Sequence, residues 1–534
     1  MLDDSFDAII IGAGFSGLYQ LYCLRDKLSL NVRVLEAAPE VGGTWYWNRY
    51  PGARCDSESH SYCYTFSEEL TQEWEWTERY PAQKDVLRYL RHVADRFDLN
   101  RNISFNCRVT GADYDEAANR WRVRTELGEE LTADFLITAV GCLSAANVPD
   151  IPGLSTFKGE RYHTSRWPHG TVDFSGKRVG VIGTGSTGIQ VVPEVAAACA
   201  HLTVFQRTAN YSVPARNAPL TSEQKRHHKE NAAEIRRLMH ASTNGHPYLI
   251  SNRSALETSA EDREAIYEAA WAKGGLYIRP TFKDLLTSKE ANDTARDFIL
   301  QKIRAVVNDP VTSSKLTNID HPYAAKRPPI DTGYFETFNR STVELVDIRE
   351  TPILEVMPGG VRTSDAIYPL DIIIFATGFD AMTGSLLRLN IRGRQGLPLT
   401  KAWEGGPRTY LGLQIADFPN LFTITGPGSP SVLCNVPVPI EQHVEWITDC
   451  IAHMRAKGLT RIEPTPAAVD DWVGQVNAAA AATLLAGVKH SWYLGANVPG
   501  KPRVFMPYAG GMARYRKICT DVAADGYQGF VLGS

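Results

Sequence analysis

The chain has 534 residues, 43% hydrophobic and 22% charged, which fits a folded protein of several domains and excludes a disordered one. Lys plus Arg is 56 and Asp plus Glu is 60, a formal net charge of -4, so there is no overall positive field for nucleic acid. The 9 cysteines are scattered, with no C-x-x-C pair and no metal-binding spacing, which fits a reducing cytoplasm and buried thiols rather than a disulfide framework.

The N-terminus, Met1 to Asp7, is acidic and lacks the basic leader of a signal peptide. Ala8 to Ile11 is apolar and rich in β-branched residues, and is predicted to be a buried parallel strand. Gly12, Gly14 and Gly17 follow in a G-x-G-x-x-G turn, then Leu18, Leu21, Tyr22 and Leu24 at helical spacing. The uncharged run Ala8 to Leu24 is interrupted by Gly12, Gly14, Ser16 and Gly17 and falls short of the roughly 20 residues a membrane span needs. Asn31 to Glu36 is the next strand, with Glu36 at its tip, 19 residues after Gly17. Phe135 to Gly141 is a further apolar strand ending in glycine.

The opening pattern returns downstream. Arg178 to Ile182 is a strand, Gly183-Thr184-Gly185-Ser186-Thr187-Gly188 the turn, Ile189 to Val195 a helix and Leu202 to Phe205 the second strand. Arg207 stands 19 residues after Gly188 and is followed by Thr208. The first glycine permits the tight turn, the second lets a pyrophosphate approach the backbone, and the third lets helix and strand pack closely. An acid at Glu36 suits ribose hydroxyls and repels a 2′-phosphate, which favours FAD or NAD, and the first site is read as FAD; Arg207 invites that phosphate, so the second, with Ser186 and Thr187 in its turn, is read as NADP(H).

Residues 220–325 are dense in charge, with helices expected at Ser222 to His240, Glu261 to Lys273 and Asn292 to Val307, a solvated insertion to which no chemistry is assigned. Asp371 to Gly378 is another apolar strand ending in glycine, Gly426 to Asn435 a loop of turn formers, and Ala478 to Ala486 a helix by propensity. The expected fold is α/β: two Rossmann-like dinucleotide-binding domains with a helical insertion. Residues 1–150 would begin the FAD domain, 151–218 and 326–384 form the NADP domain around the insertion 219–325, and 385–534 complete the FAD domain with the pocket loops.

Three more segments carry a family signature. They are Phe157, Gly159, His163, Trp167 and Pro168 in F-x-G-x-x-x-H-x-x-x-W-P; Gly42-Gly43-Thr44-Trp45 with Tyr50-Pro51-Gly52 and Asp56; and Lys326-Arg327-Pro328-Pro329 with Asp331, Gly333, Tyr334 and Asn339. Together they resemble the Baeyer–Villiger monooxygenases over nearly the whole chain. Trp45 to Asp56 and Trp492 to Lys501 are most similar to the phenylacetone and steroid monooxygenase branch.

The resemblance implies an FAD enzyme that uses NADPH and O2 to insert oxygen beside a ketone carbonyl through a flavin peroxide, giving an ester or lactone. In the family an Arg at the position of Arg327 stabilises the developing anion, and Asp56 would hold or tune it. Lys326 would join Arg207 and Thr208 at the 2′-phosphate, Trp492 would close on the nicotinamide ribose, and Thr44, Trp45, Tyr50 and Pro51 would lie by the flavin. His163 would brace the hinge between the nucleotide domains rather than act as a base. Ser431, Val432, Leu433 and Cys434 would border a pocket for an apolar aryl, cyclic or steroid-like ketone. A monomer, or else a dimer, is expected.

The related amine- and sulfide-oxygenating flavin enzymes resemble this chain around His163 but usually lack Trp167 and Pro168. An NADPH-dependent disulfide reductase would need a redox cysteine pair, and Cys55 and Cys63 are too far apart for its usual spacings. A non-catalytic nucleotide sensor is the remaining alternative.

Overall fold

The computed structural model describes residues 5–534; the acidic N-terminal segment read above lies partly outside them, at residues 1–4. The first sheet is built on β1 (Ser5–Ile11), whose Ala8, Ile9 and Ile10 are fully buried. After the helix Phe15–Tyr22 come β2 (Val32–Leu35) and β3 (Ile103–Ser104), then β4 (Val109–Asp115), β5 (Arg120–Thr125) and β6 (Glu130–Thr138). β1 runs parallel to both β2 and β6, while β4, β5 and β6 form an antiparallel meander. Two strands from late in the chain complete this eight-stranded sheet: Leu421–Thr423 pairs with β6 and Ile391–Arg392 with β4.

The second sheet has five strands, all parallel. It contains β7 (Glu160–His163), β8 (Arg178–Ile182) and β9 (His201–Gln206), with Val343–Asp347 outside β9 and Ile372–Phe375 between β8 and β7. Buried on both sides, β8, β9 and Ile372–Phe375 read as nearly continuous apolar runs, as parallel strands covered on two faces do.

Between β9 and Val343–Asp347 lie helices Ser222–Glu230, Ala232–Ala241, Ala260–Lys273, Lys289–Val306 and Pro310–Thr317. Their starts are set by side-chain caps: Thr221 with Gln224 as a capping box, Ser259, Ser288, and Asp309 ahead of Pro310. The insertion is not a separate body, because Phe298, Ile299 and Ile303 share one core with Val179, Val181 and Val192 of the second sheet and its helix. The long helix Pro437–Ala456 packs Val444, Ile447 and Ile451 into the core of the first sheet.

One helix is shorter than its propensity suggested. The Ala-rich stretch is helical only to Ala481, the end of Pro466–Ala481. Beyond it the chain turns, and the Leu484 amide donates to Leu286 O of the insertion at 2.8 Å.

Candidate active site

Both glycine turns close against the end of a neighbouring strand. A Cβ on Gly12 would lie 2.6 Å from Ala139 O, and one on Gly183 2.4 Å from Ala376 O, both with positive φ. The third glycines are set by packing: a Cβ on Gly17 or Gly188 would strike the carbonyl of Gly12 or Gly183 at 1.8 or 2.1 Å. The middle glycines face space. Nothing lies within 4 Å of a Cβ on Gly185, and Gly14 meets only Gly43, at 3.4 Å. Two glycine turns with open backbone at their middle positions therefore stand as cradles at two helix N-termini, an arrangement that fits two dinucleotides. Ser186 is exposed and Thr187 half-buried at the second.

Glu36 is buried and already engaged. Its Oε2 accepts from the Ala13 amide at 2.6 Å and its Oε1 from the Ala38 amide at 2.7 Å. Burial raises its pKa and these amides oppose the rise. Each oxygen keeps a second lone pair, so the carboxylate is pre-oriented by backbone and still able to accept from a ribose.

At the second cradle Arg207 is exposed, and Thr208 O accepts from Thr184 Oγ1 at 2.9 Å. Lys326 has no ion-pair partner among the described residues. Burial lowers its pKa, Asp320 opposes the fall, and the Arg207 charge lowers it further. Two cations are thus brought within electrostatic reach, one of them partly desolvated. Trp492, half-buried in the short turn Trp492–Leu494, packs against Tyr493 at 4.4 Å and joins an apolar cluster with Ala325 and Val432. Its loop is pinned by Lys501 on Asp380 at 2.6 Å and by Asn497 Nδ2 on Phe379 O at 2.7 Å.

The structure brings Arg327 and Asp56, 271 residues apart in the chain, into a two-pronged pair: Nε to Oδ2 at 2.6 Å and Nη2 to Oδ1 at 2.7 Å. Nη1 donates to Val432 O at 3.3 Å. The side chains are 23% and 21% exposed, so the pair is reachable without being solvated. Burial alone would lower the Arg327 pKa, but the Asp56 carboxylate more than offsets this and the guanidinium stays charged.

Around the pair, Trp45 is buried and its Nε1–H donates to Tyr62 OH at 3.3 Å, while Thr44 is exposed beside it. Tyr50 reaches the helix of the second cradle. Its hydroxyl donates to Gln190 Oε1 at 2.8 Å, and a Cβ on Gly52 would lie 2.4 Å from Gln190 O. Gln190 belongs to the helix Ser186–Ala198, so the segment leading to Asp56 rests on the second cradle's helix.

His163 lies at the end of β7, where Nδ1 takes the Ser165 amide at 3.2 Å and meets Ser165 Oγ at 2.7 Å. Nε2 meets Thr377 Oγ1 at 3.3 Å, and that hydroxyl donates to Asn147 O at 2.6 Å. The hydroxyl proton is thus spent on Asn147, so Nε2 carries the imidazole hydrogen and Nδ1 is the acceptor. Burial lowers the His163 pKa, in keeping with a neutral ring. Asn147 and Thr377 are on the two strands of chain that pass between the sheets, joined also by Asn147 N on Gly378 O at 3.0 Å. Phe157 and Trp167 are buried in the second unit, Trp167 against Tyr162 at 5.2 Å with half-buried Pro168 beside it, and Gly159 passes Asp371 O too closely for a Cβ.

Ser431, Val432 and Cys434 are buried and Leu433 half-buried. Val432 and Leu433 face Met382, Tyr493 and Trp492 in one apolar cluster. Burial pushes the Cys434 thiol up to about 12, which leaves no thiolate for nucleophilic chemistry.

The insertion supplies a residue that its composition hid. His246 is buried, stacked on Tyr248 at 5.3 Å, and held at about 4 first by burial and then by the Arg327 charge. The neighbouring Gly245 approaches Cys434 Sγ, and Asn435 N donates to Asn244 O at 2.8 Å. The insertion therefore forms one wall of the site, contrary to its reading as a solvated face alone. The signal was the weakly charged stretch Asn244-Gly245-His246-Pro247-Tyr248 inside an otherwise charged segment.

A family model described as pyridine nucleotide-disulphide oxidoreductase matches residues 9–246. All nine cysteines are free. A Baeyer–Villiger monooxygenase from Pseudooceanicola batsensis is 45% identical over 98% of this chain and 96% of its own. A solved oxidised steroid monooxygenase bound to NADP is 53% identical, with a TM-score of 0.94 over 99% of each chain. The solved OTEMO complex with FAD and NADP is 44% identical, with a TM-score of 0.95 over 99% of each chain.

Proposed function

The chain belongs to the Baeyer–Villiger monooxygenase family, and on that premise we propose that the Arg327–Asp56 pair is the centre at which it inserts one oxygen atom beside a ketone carbonyl. It is an FAD- and NADPH-dependent oxidoreductase. The cofactors, when bound, supply the reducing electrons and the activation of O2.

The observation that carries the reading is the two-pronged hold on Arg327. Of the five guanidinium N–H groups, two go to Asp56 and one to Val432 O, which leaves two. Those two are fixed donors for the negative charge that develops at the ketone oxygen when its carbon is attacked. A preoriented cation in a site of low water content lowers that barrier without reorganising. Trp45, Tyr62 and Tyr493 keep bulk water from it.

Gly12, Gly14, Gly17, Glu36 and Thr44 would hold FAD. Gly183, Gly185, Ser186, Thr187 and Gly188 would hold the NADP pyrophosphate, Arg207, Thr208 and Lys326 its 2′-phosphate, and Trp492 would cover the nicotinamide end. His163 would brace the two crossings at Asn147 and Thr377, since its lone pair is occupied by Ser165. The FAD unit would comprise 1–150 and 385–534, and the NADP unit 151–218 and 326–384 around the insertion 219–325. The substrate would be an apolar aryl, cyclic or steroid-like ketone, held by Val432, Leu433, Met382 and Trp492. Free thiols support a cytoplasmic setting, and no helix among the described residues is long and apolar enough to cross a membrane.

The test is to incubate the enzyme with NADPH, labelled O2 and a panel of aryl, cyclic and steroid ketones, and to weigh the products. One labelled oxygen in an ester or lactone supports the reading. Ketones returned unchanged while a sulfide or amine gains the oxygen would reject it.

A further inference from the structure

Three hydrogen-bond donors are buried beside this centre with no acceptor. The hydroxyls of Tyr248 and Tyr323 and Nη1 of Arg279 are all shielded from solvent and unpartnered. Tyr323 is 0% exposed. Burial lowers the Arg279 pKa, and Tyr323 and Tyr248 are the groups that interact with its charge, so the three are mutual neighbours. Arg279 is half-buried, and leaving its shielded Nη1 without an acceptor is costly.

The nearby acids are already engaged. Glu58 takes Arg79 at 2.6 Å and Tyr277 OH at 3.2 Å, and Asp56 takes Arg327. Tyr277 stands between these groups and the donors, its ring 5.1 Å from that of Tyr248. Among the described residues no acid pairs with Arg279, which leaves its Nη1 open to an acceptor from outside the chain.

The donors are also tied to the oxygenation centre. Tyr323 is four residues before Arg327, at most about 14 Å away along the backbone. Tyr248 stacks on His246, which feels the Arg327 charge, and follows Gly245, which abuts Cys434 of the loop that binds Arg327.

We propose that Tyr248, Arg279 and Tyr323 form a second recognition site in the same pocket, which receives a carboxylate carried at the far end of the ketone substrate. The preferred substrates are then keto acids with an apolar middle, and the donors are specificity residues rather than catalytic ones. This rests on Arg327 being the oxygenation centre.

The test compares 4-(3-oxobutyl)benzoate with 4-phenylbutan-2-one, which share a skeleton and differ in one carboxylate. Their binding to the oxidised enzyme carrying FAD and NADP+ is measured by calorimetry. The carboxylate compound is expected to bind about tenfold more tightly. Arg279→Met should bring the two to within about twofold, and Tyr323→Phe, which removes a single hydroxyl, should erode the preference by about threefold. Should Arg279→Met fail to fold, Tyr323→Phe carries the comparison alone. Equal binding of the two probes, or a preference untouched by the folded variants, overturns the proposal. Oxygenation of 4-phenylbutan-2-one is followed separately; a carboxylate preference without any ketone oxygenated would reject the function and leave the subsite standing.

Discussion

Replacing Asp56 by Asn tests whether the hold on Arg327, and not merely its charge, serves the reaction. Asp56 accepts Nε–H and Nη2–H at 2.6 and 2.7 Å. An amide keeps one acceptor oxygen and turns an N–H donor toward the guanidinium, so one charge-assisted bond is lost. Such a bond contributes about 1.5–3 kcal/mol when buried. With roughly a fifth of each side chain exposed, the lower part of that range applies, about 1–2 kcal/mol after screening. At 1.36 kcal/mol per decade, ester formation should fall by about 5- to 30-fold. Arg327→Ala removes the cation itself and should cost about 100- to 1,000-fold. The assay counts ester formed per NADPH consumed, by mass spectrometry and absorbance. Both variants should still oxidise NADPH while making less ester. An Asp56→Asn enzyme that forms ester at the normal rate, or one as impaired as Arg327→Ala, would refute the positioning argument.

Other expectations follow from the same geometry. Arg207→Ala and Lys326→Ala should each raise the KM for NADPH by about tenfold or more and leave that for NADH nearly unchanged; equal losses with both cosubstrates would disprove a 2′-phosphate site. Gly185→Ala should fold normally and bind NADPH weakly, because its Cβ meets nothing, whereas Gly188→Ala should lower the melting temperature, because its Cβ meets Gly183 O at 2.1 Å. Thermal unfolding of the pair decides this, and equal melting temperatures would count against it. Burial pushes the Glu441 carboxyl from 4.5 up to about 7, against the hydrogen bonds from Thr65. The folded state then keeps a proton that the unfolded chain releases, so stability falls as pH rises from 4.5 through 7, by about 3 kcal/mol in all. Glu441→Gln should therefore gain melting temperature over the parent at pH 8 relative to pH 5, and a pH-independent difference would reject it.

Much of the architecture was readable because it is written in local chemistry. The two glycine turns and their flanking strands are each set by residues close in the chain. The meeting of Arg327 and Asp56 was legible only through family likeness, since nothing in spacing relates positions 271 residues apart. The docking of Tyr50 on the second turn's helix was not legible, because it depends on Gly52 allowing the chain within contact of Gln190 O. The backbone hold on Glu36 by Ala13 and Ala38 was not legible, since it depends on how the first turn folds back on the strand. The wall formed by His246 and Tyr248 escaped notice because tertiary packing, not composition, decides which part of a charged insertion turns inward.

The interleaving of the chain bears on its birth at the ribosome. The five strands of the second sheet all lie between residues 160 and 375, but the first sheet waits for Leu421–Thr423 to pair with β6. The unit that begins first is thus the one that can be finished last. The last residues of β6, Leu136–Thr138, stand open on one side while some 280 residues are still being synthesised. Nascent β1 to β6 must remain unaggregated over that interval, and a stop placed between residues 376 and 420 should yield a protease-resistant second unit attached to an exposed first one.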